Sequence, residues 1–242
     1  MHDYKINIDK KVLRLLGAQL YGDTPSIISE LVQNSYDADA KAVWITINTT
    51  LPNSIVVQDN GTGMSPEEIN SRFLNIGQDR RATYPTSPGG RQVLGRKGIG
   101  KLAVFSLAKI IDIYSIKSDE IAACRLDFDK ITLHNGDPIT LDESKVPIEK
   151  KFLSENGTGT KIVLQEIQKD ISRSLNYIVN RLMRTFDVNA SDFKIYVQKN
   201  DEPFKELSRK NLSFFDSMDT IITFGDAYAS KIDAVNQNDI PN

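Results

Sequence analysis

The chain has 242 residues, 40% of them apolar and 26% charged, the balance of a soluble globular protein with room for a sizeable core. Thirty basic residues against thirty-two acidic ones, a net charge of −2, exclude a strongly basic nucleic-acid-coating protein, though not a local basic patch. One cysteine, Cys124, excludes an intrachain disulfide and a Cys-rich zinc site, and two histidines, His2 and His134, exclude a His-rich metal centre. No apolar run approaches the ~20 residues of a bilayer span. Met1-His2-Asp3-Tyr4-Lys5 is too polar for a signal peptide. A cytoplasmic protein without membrane contact is expected.

Residues 10–20 read as a short amphipathic helix. Thr24-Pro25 starts a second one, with Thr24 as cap and Pro25 in the first turn, running to about Tyr36. Residues 42–48 are β-branched and aromatic, hence a strand, with Trp44 expected in the core. Pro52-Asn53 turns the chain into a second strand over 54–58, so the two form a hairpin. Ser65-Pro66-Glu67-Glu68 is a capping box that opens a helix. Residues 77–97 form a polar loop of about 20 residues carrying Arg80, Arg81, Arg91 and Arg96, a length that points to function or disorder. A helix is expected over 98–109 and strands over 110–115, 121–128, 160–165 and 193–198. A further helix is expected over 170–186. Cys124 reads as a buried small apolar residue and His134 as a turn residue, while 215–242 lose periodicity. This order predicts an α+β fold, helices on one face of a mostly antiparallel sheet. The boundaries read as a domain over 1–166 and a carboxy-terminal extension over 167–242, possibly opening a following domain.

Four clusters carry candidate chemistry. In Glu30 to Ala40, Glu30, Asn34 and Asp37 fall within about 60° of one another on a helix, opposite Ile28, Leu31, Val32 and Ser35. Such a stripe is either a solvated face or a carboxylate base beside an amide ligand for a hard cation. Asp59-Asn60-Gly61-Thr62-Gly63-Met64 follows a strand; it is either a plain turn or a buried carboxylate that accepts from an exocyclic amine. Gly95 to Lys101 fits most of a P-loop but fails at Leu102, where a hydroxyl is required. Gly98 to Ala103 fits a loose dinucleotide fingerprint without its preceding strand. What survives is a glycine-rich helix start that wraps an anion. The last cluster, Gly157-Thr158-Gly159-Thr160, is a glycine turn into a strand.

Taken in order, these clusters resemble the GHKL (Bergerat-fold) ATPase superfamily: E-x-x-x-N at Glu30 and Asn34, D-x-G-x-G at Asp59, Gly61 and Gly63, glycines at Gly95, Gly98 and Gly100, and G-T at Gly159-Thr160. The resemblance covers about residues 12–166 and leans toward the Hsp90-like and MORC-like branch. It implies a two-layer α/β sandwich and the cofactors ATP and Mg²⁺. By that resemblance Glu30 is the general base and Asn34 the Mg²⁺ ligand, with Asp37 and Lys41 at the nucleotide edge. Asp59 takes the adenine amine, helped by Thr160; Gly61, Gly63 and Met64 line the base. Gly98, Ile99, Gly100 and Lys101 cradle the phosphates, and 77–97 is the lid. It also implies slow ATP hydrolysis, lid closure and ATP-dependent self-dimerisation, with a γ-phosphate-sensing basic residue from a following domain or an unknown protein partner. Alternatives are a nucleotide-gated binding module with little hydrolysis, or a protein kinase of the same superfamily. Nucleic-acid binding has no support beyond the basic loop.

Overall fold

The computed structural model describes residues 4–5, 23–74, 86–94, 104–133, 138–143, 146–169, 171, 174–187 and 192–208. The expected helix at 10–20, Arg80, Arg81, Arg96, Gly98, Ile99, Gly100, Lys101, His134 and the 215–242 stretch lie outside these residues.

Helix α1 (Thr24–Asp37) begins at a different cap from the one expected. Asp23, not Thr24, is the N-cap, its Oδ1 accepting from Ser26 N at 2.8 Å. Both types cap well, but a carboxylate also answers the positive end of the helix dipole. Ile27, Ile28, Leu31, Val32 and Ser35 form its buried face, one stripe at helical spacing.

Strands β1 (Ala42–Asn48) and β2 (Ser54–Asp59) form the expected antiparallel hairpin, Ile45 opposite Val57 and Ile47 opposite Ile55. Because side chains alternate between faces, Val43, Ile45, Ile47, Ile55, Val57 and Asp59 share the buried side. Trp44 points the other way. It stacks on Tyr196 at 5.7 Å and takes the edge of Phe152 at 5.0 Å, so it seals the far face of the sheet and is not in the central core.

The capping box at Ser65 is present, but its helix, α2 (Pro66–Glu68), is a single turn that widens into a π-turn over Ile69–Phe73. The wider winding, closed by Leu74 N on Ile69 O at 2.8 Å, lets Ile69, Phe73 and Leu74 all be buried. Strand β3 (Ala108–Lys117) begins where helix was expected, because Ala108 is already paired with Ile167. Next come β4 (Glu120–Asp127), α3 (Phe128–Leu133), β5 (Ile139–Thr140), β6 (Gly159–Ile167), α4 (Ser174–Thr185), β7 (Lys194–Lys199) and β8 (Lys205–Glu206). Cys124 is buried, as its strand context implied, and burial pushes its thiol up to about 12.

Among the described residues the strands form one eight-stranded sheet, ordered β5-β4-β3-β6-β2-β1-β7-β8. All neighbours are antiparallel except β1 and β7. This is the α+β arrangement expected, with α1 and α4 packed together and Ile178, Leu182 and Phe186 buried from α4. The sheet and helical layer continue past residue 166: α4, β7 and β8 belong to them.

One consequence for the site comes from register. Asp59 lies opposite Thr160, and Thr160 opposite Ser115, so β2, β6 and β3 set these three side by side. The turn after Asp59 depends on Gly63, whose φ is +69° and whose added Cβ would overlap the Ile116 carbonyl. Gly63→Ala is expected to lower the stability by roughly 2–4 kcal/mol, adding left-handed strain to overpacking. A urea midpoint that falls at constant m checks this; a loss under about 0.5 kcal/mol would contradict it.

Candidate nucleotide site

The polar flank of α1 is half-buried, so the plain solvated-face reading does not hold for it. Asn34 is the most telling member: its Nδ2 is buried with no hydrogen-bond partner. Such an orphan costs free energy unless something else satisfies it. Glu30 lies one turn earlier on the same flank. Asp37 is committed within the protein, its Oδ1 accepting from Leu94 N at 2.7 Å. Lys41 is solvent-exposed, with Nζ 3.5 Å from Glu155. An exposed pair of that kind fixes little.

Across from α1 stands Asp59, only 6% exposed. Oδ1 accepts from Gly61 N at 2.9 Å and Oδ2 from Ser35 Oγ at 2.8 Å. Burial raises its pKa to about 6; the Gly61 N–H, the Ser35 hydroxyl and the Thr160 N–H pull the other way, each favouring the ionised form. Beside it, Thr160 Oγ1 lies 2.9 Å from Ser115 Oγ, which also accepts from Met64 N at 2.8 Å. A buried hydroxyl and carboxylate row thus runs from α1 to β3.

Gly61 and Gly159 are fixed by packing. A Cβ on Gly61 would sit 2.7 Å from Ala38 O, and one on Gly159 would overlap Asp59 O. Thr62 N donates to Ala38 O at 2.9 Å, and Thr158 Oγ1 to Gly61 O at 2.7 Å. These contacts clamp the Asp59 turn between the end of α1 and the start of β6. Asn60 serves the same purpose, its Oδ1 accepting from Lys41 N and Ala42 N.

The structure therefore gathers Ser35, Asp59, Met64, Ser115 and Thr160 around the junction of α1 with β2, β6 and β3, while Glu30 and Asn34 lie on the neighbouring flank of α1. It places Lys41 in solvent and Asp37 against the 86–94 segment. Two participants escaped the sequence reading. Ser35 was grouped with the apolar face of α1, although a hydroxyl there is itself a signal. Ser115 lies inside an Ile-rich strand and becomes visible only through register. Arg91 is not a solvated charge: its guanidinium lies 4.7 Å from the Tyr36 ring centroid and donates to Ala40 O at 2.7 Å. Among the described residues no group of three or more His, Cys, Asp or Glu could hold a metal, and no helix is long and apolar enough to cross a membrane.

Residues 24–160, more than half of the chain, match the family described as "Histidine kinase-, DNA gyrase B-, and HSP90-like ATPase". Similar curated proteins include "Putative type II restriction enzyme HgiDII" of Herpetosiphon aurantiacus, 34% identical over 87% of this chain and 34% of that protein. "Chaperone protein HtpG" of a Sulfurovum species is 24% identical over 73% of this chain and 32% of its own length. "DNA mismatch repair protein MutL" of Carboxydothermus hydrogenoformans is 27% identical over 66% and 29%. The chain spans about a third of the length of these relatives.

Proposed function

The chain belongs to the family of histidine kinase-, DNA gyrase B- and HSP90-like ATPases, and on that premise we propose that it binds ATP with Mg²⁺, hydrolyses it slowly, and couples nucleotide state to lid closure and self-association. In this reading Asp59 accepts the exocyclic amine of adenine, with Thr160 and Ser115 completing the polar floor. Gly98, Ile99, Gly100 and Lys101 hold the phosphates, and Glu30 takes the proton of the attacking water. Phosphoryl transfer to water needs positioning and charge neutralisation more than covalent help.

One observation carries the reading. Ser35 donates to Asp59 and is the immediate neighbour of Asn34. The Asp59 carboxylate thus touches the same turn of α1 that carries Asn34, which supports a single site for base and metal.

Asn34 fits a magnesium ligand. Its Nδ2 is buried and unpartnered, and an amide flip exchanges the nitrogen and oxygen positions. Mg²⁺ takes few protein ligands and completes its shell with phosphate oxygens and water, so it asks for no carboxylate cluster. When bound it neutralises charge on those oxygens.

The relatives' names span restriction, protein folding and mismatch repair. Each matches this chain over about a third of its own length, which supports a shared nucleotide module whose output is set by sequence or partners outside it. A basic residue for the γ-phosphate is proposed to come from the same source.

Calorimetric titration with ATP tests the proposal. Saturable binding that strengthens with Mg²⁺, and an Asn34→Ala variant that loses the Mg²⁺-dependent part, are the expected results. No adenine-nucleotide binding in the presence of Mg²⁺ would end this reading.

A further inference from the structure

The last turn of α1 carries Asn34 and Asp37 but no basic residue of its own, although the carbonyl end of a helix favours a cation. The cation comes instead from a segment more than fifty residues away. Arg91 Nη1 donates to Ala40 O at 2.7 Å and reaches Tyr36 O at 3.4 Å, while Nη2 donates to Asp192 O at 2.7 Å. The guanidinium lies over the rings of Tyr36 and Phe193, at 4.7 and 5.8 Å from their centroids. Planar geometry with several fixed donors is what lets one side chain satisfy three carbonyls and two ring faces; an ammonium cannot.

The segment that delivers Arg91 is itself pinned to the end of α1. Ser87 Oγ donates to Asp39 Oδ1 and Gly89 N to Asp39 Oδ2, and Leu94 N donates to Asp37 Oδ1. Ser87 Oγ also accepts from Arg91 N at 2.9 Å. Asp39 has φ +58°, a left-handed conformation in which it faces this turn.

We infer that Arg91 is a positioning residue for Asn34: it holds the final turn of α1 in the geometry that aims the Asn34 amide, with Asp39 seating the segment that carries it. The selectivity argument is physical. Asn34 Nδ2 has no protein hydrogen-bond partner to hold it, so the direction of the amide follows the set of the backbone turn that carries it. Asp59 takes one bond from Ser35 on the same helix, but two others, from Gly61 N and Thr160 N, hold it on the sheet side. Loss of Arg91 therefore disturbs the metal end of the site more than the adenine end. The inference rests on the ATP–Mg²⁺ reading above.

The test compares two affinities in one protein: ATP with Mg²⁺, and ADP with a chelator in place of the metal. Arg91→Ala is expected to weaken Mg-ATP, and to raise the Mg²⁺ concentration for half-maximal binding, by about tenfold, the scale of a partly buried cation at a helix end. Metal-free ADP affinity stays within about twofold, and Arg91→Lys recovers only part of the loss. Asp39→Asn tolerates the left-handed backbone and keeps the Arg91 side chain while loosening the segment that seats it; it is expected to show the same selective loss, smaller in size, and keeps the test open if Arg91→Ala does not fold. Circular dichroism and a melting curve confirm that each variant is folded at the assay temperature. Equal weakening of both ligands, or no change in either, overturns the inference. Wild-type protein that ignores Mg-ATP overturns the functional reading itself, a separate and recognisable result.

Discussion

Asp59→Asn is expected to weaken ATP binding by at least about a hundredfold while leaving the protein as stable as the parent at pH 7, or slightly more so. The two effects have one source. The Asp59 carboxylate accepts from Gly61 N and Ser35 Oγ in a nearly solvent-free position. An asparagine there can offer its oxygen to one donor only and turns its NH₂ toward the other. It also presents no negative acceptor to an incoming amine. Yet the ionised carboxylate is costly to keep. Burial lifts its pKa from 3.8 to about 6, which corresponds to about 3 kcal/mol.

The sign follows from linkage. A folded pKa above the unfolded one means that the native state holds the proton more tightly between pH 4 and 6. The stabilisation from protonated Asp59 is present in full below about pH 4 and is lost as pH rises through about 6. At pH 7 the protein bears the cost of a buried anion, and the amide removes that cost. Ligand binding runs the other way: an adenine amine donating to Asp59 favours the ionised form. ATP affinity should therefore fall as pH drops below about 6, and that step should vanish in Asp59→Asn. Titrations between pH 5 and 8, beside melting curves of both proteins, check all three expectations. Parental affinity in the variant would remove Asp59 from base recognition.

What the sequence revealed and what it hid divide along a physical line. Strand β1 was legible to the residue, because Ala42–Asn48 alternates β-branched and aromatic side chains between turn signals. Asp59 and Asn34 were legible as candidates because each sits at a fixed spacing, Asn34 four residues after Glu30 on one helix flank and Asp59 at the end of a strand before Gly61 and Gly63. Ser35 and Ser115 were not, since a small hydroxyl in an apolar run looks like packing until register is known. That register joins β2, β6 and β3 across a hundred residues and leaves no local trace. The same holds for β7 beside β1, a parallel pairing some 150 residues apart. The 77–97 stretch was legible as a polar loop, but the attachment of its 87–94 part to Asp37 and Asp39 was not. Asp37 read as part of a polar helix flank, and Arg91 as one charge among several.

Glu30→Ala is expected to lower the hydrolysis rate by about 10²–10⁴-fold, the usual contribution of a positioned general base, with ATP affinity changed by no more than a few-fold. The geometry separates the two quantities. Glu30 stands on the Asn34 flank of α1, about 6 Å along the helix axis from it, on the side of the helix away from the Ser35–Asp59 contact. In the proposed reading it meets a water at the terminal phosphate without touching the base or its floor. Alanine is the strongest helix former, so the truncation leaves the backbone of α1 and the direction of Asn34 as they were. Single-turnover hydrolysis beside equilibrium binding measures both quantities at once. Equal turnover in parent and variant would show that Glu30 is not the base. Parent protein that binds Mg-ATP without turning it over would favour a nucleotide-gated module, and transfer of labelled phosphate to protein would favour a kinase. If instead turnover collapses while binding persists, the two ends of α1's polar flank have different duties: Glu30 in the chemistry, Asn34 in holding the metal-bound phosphates.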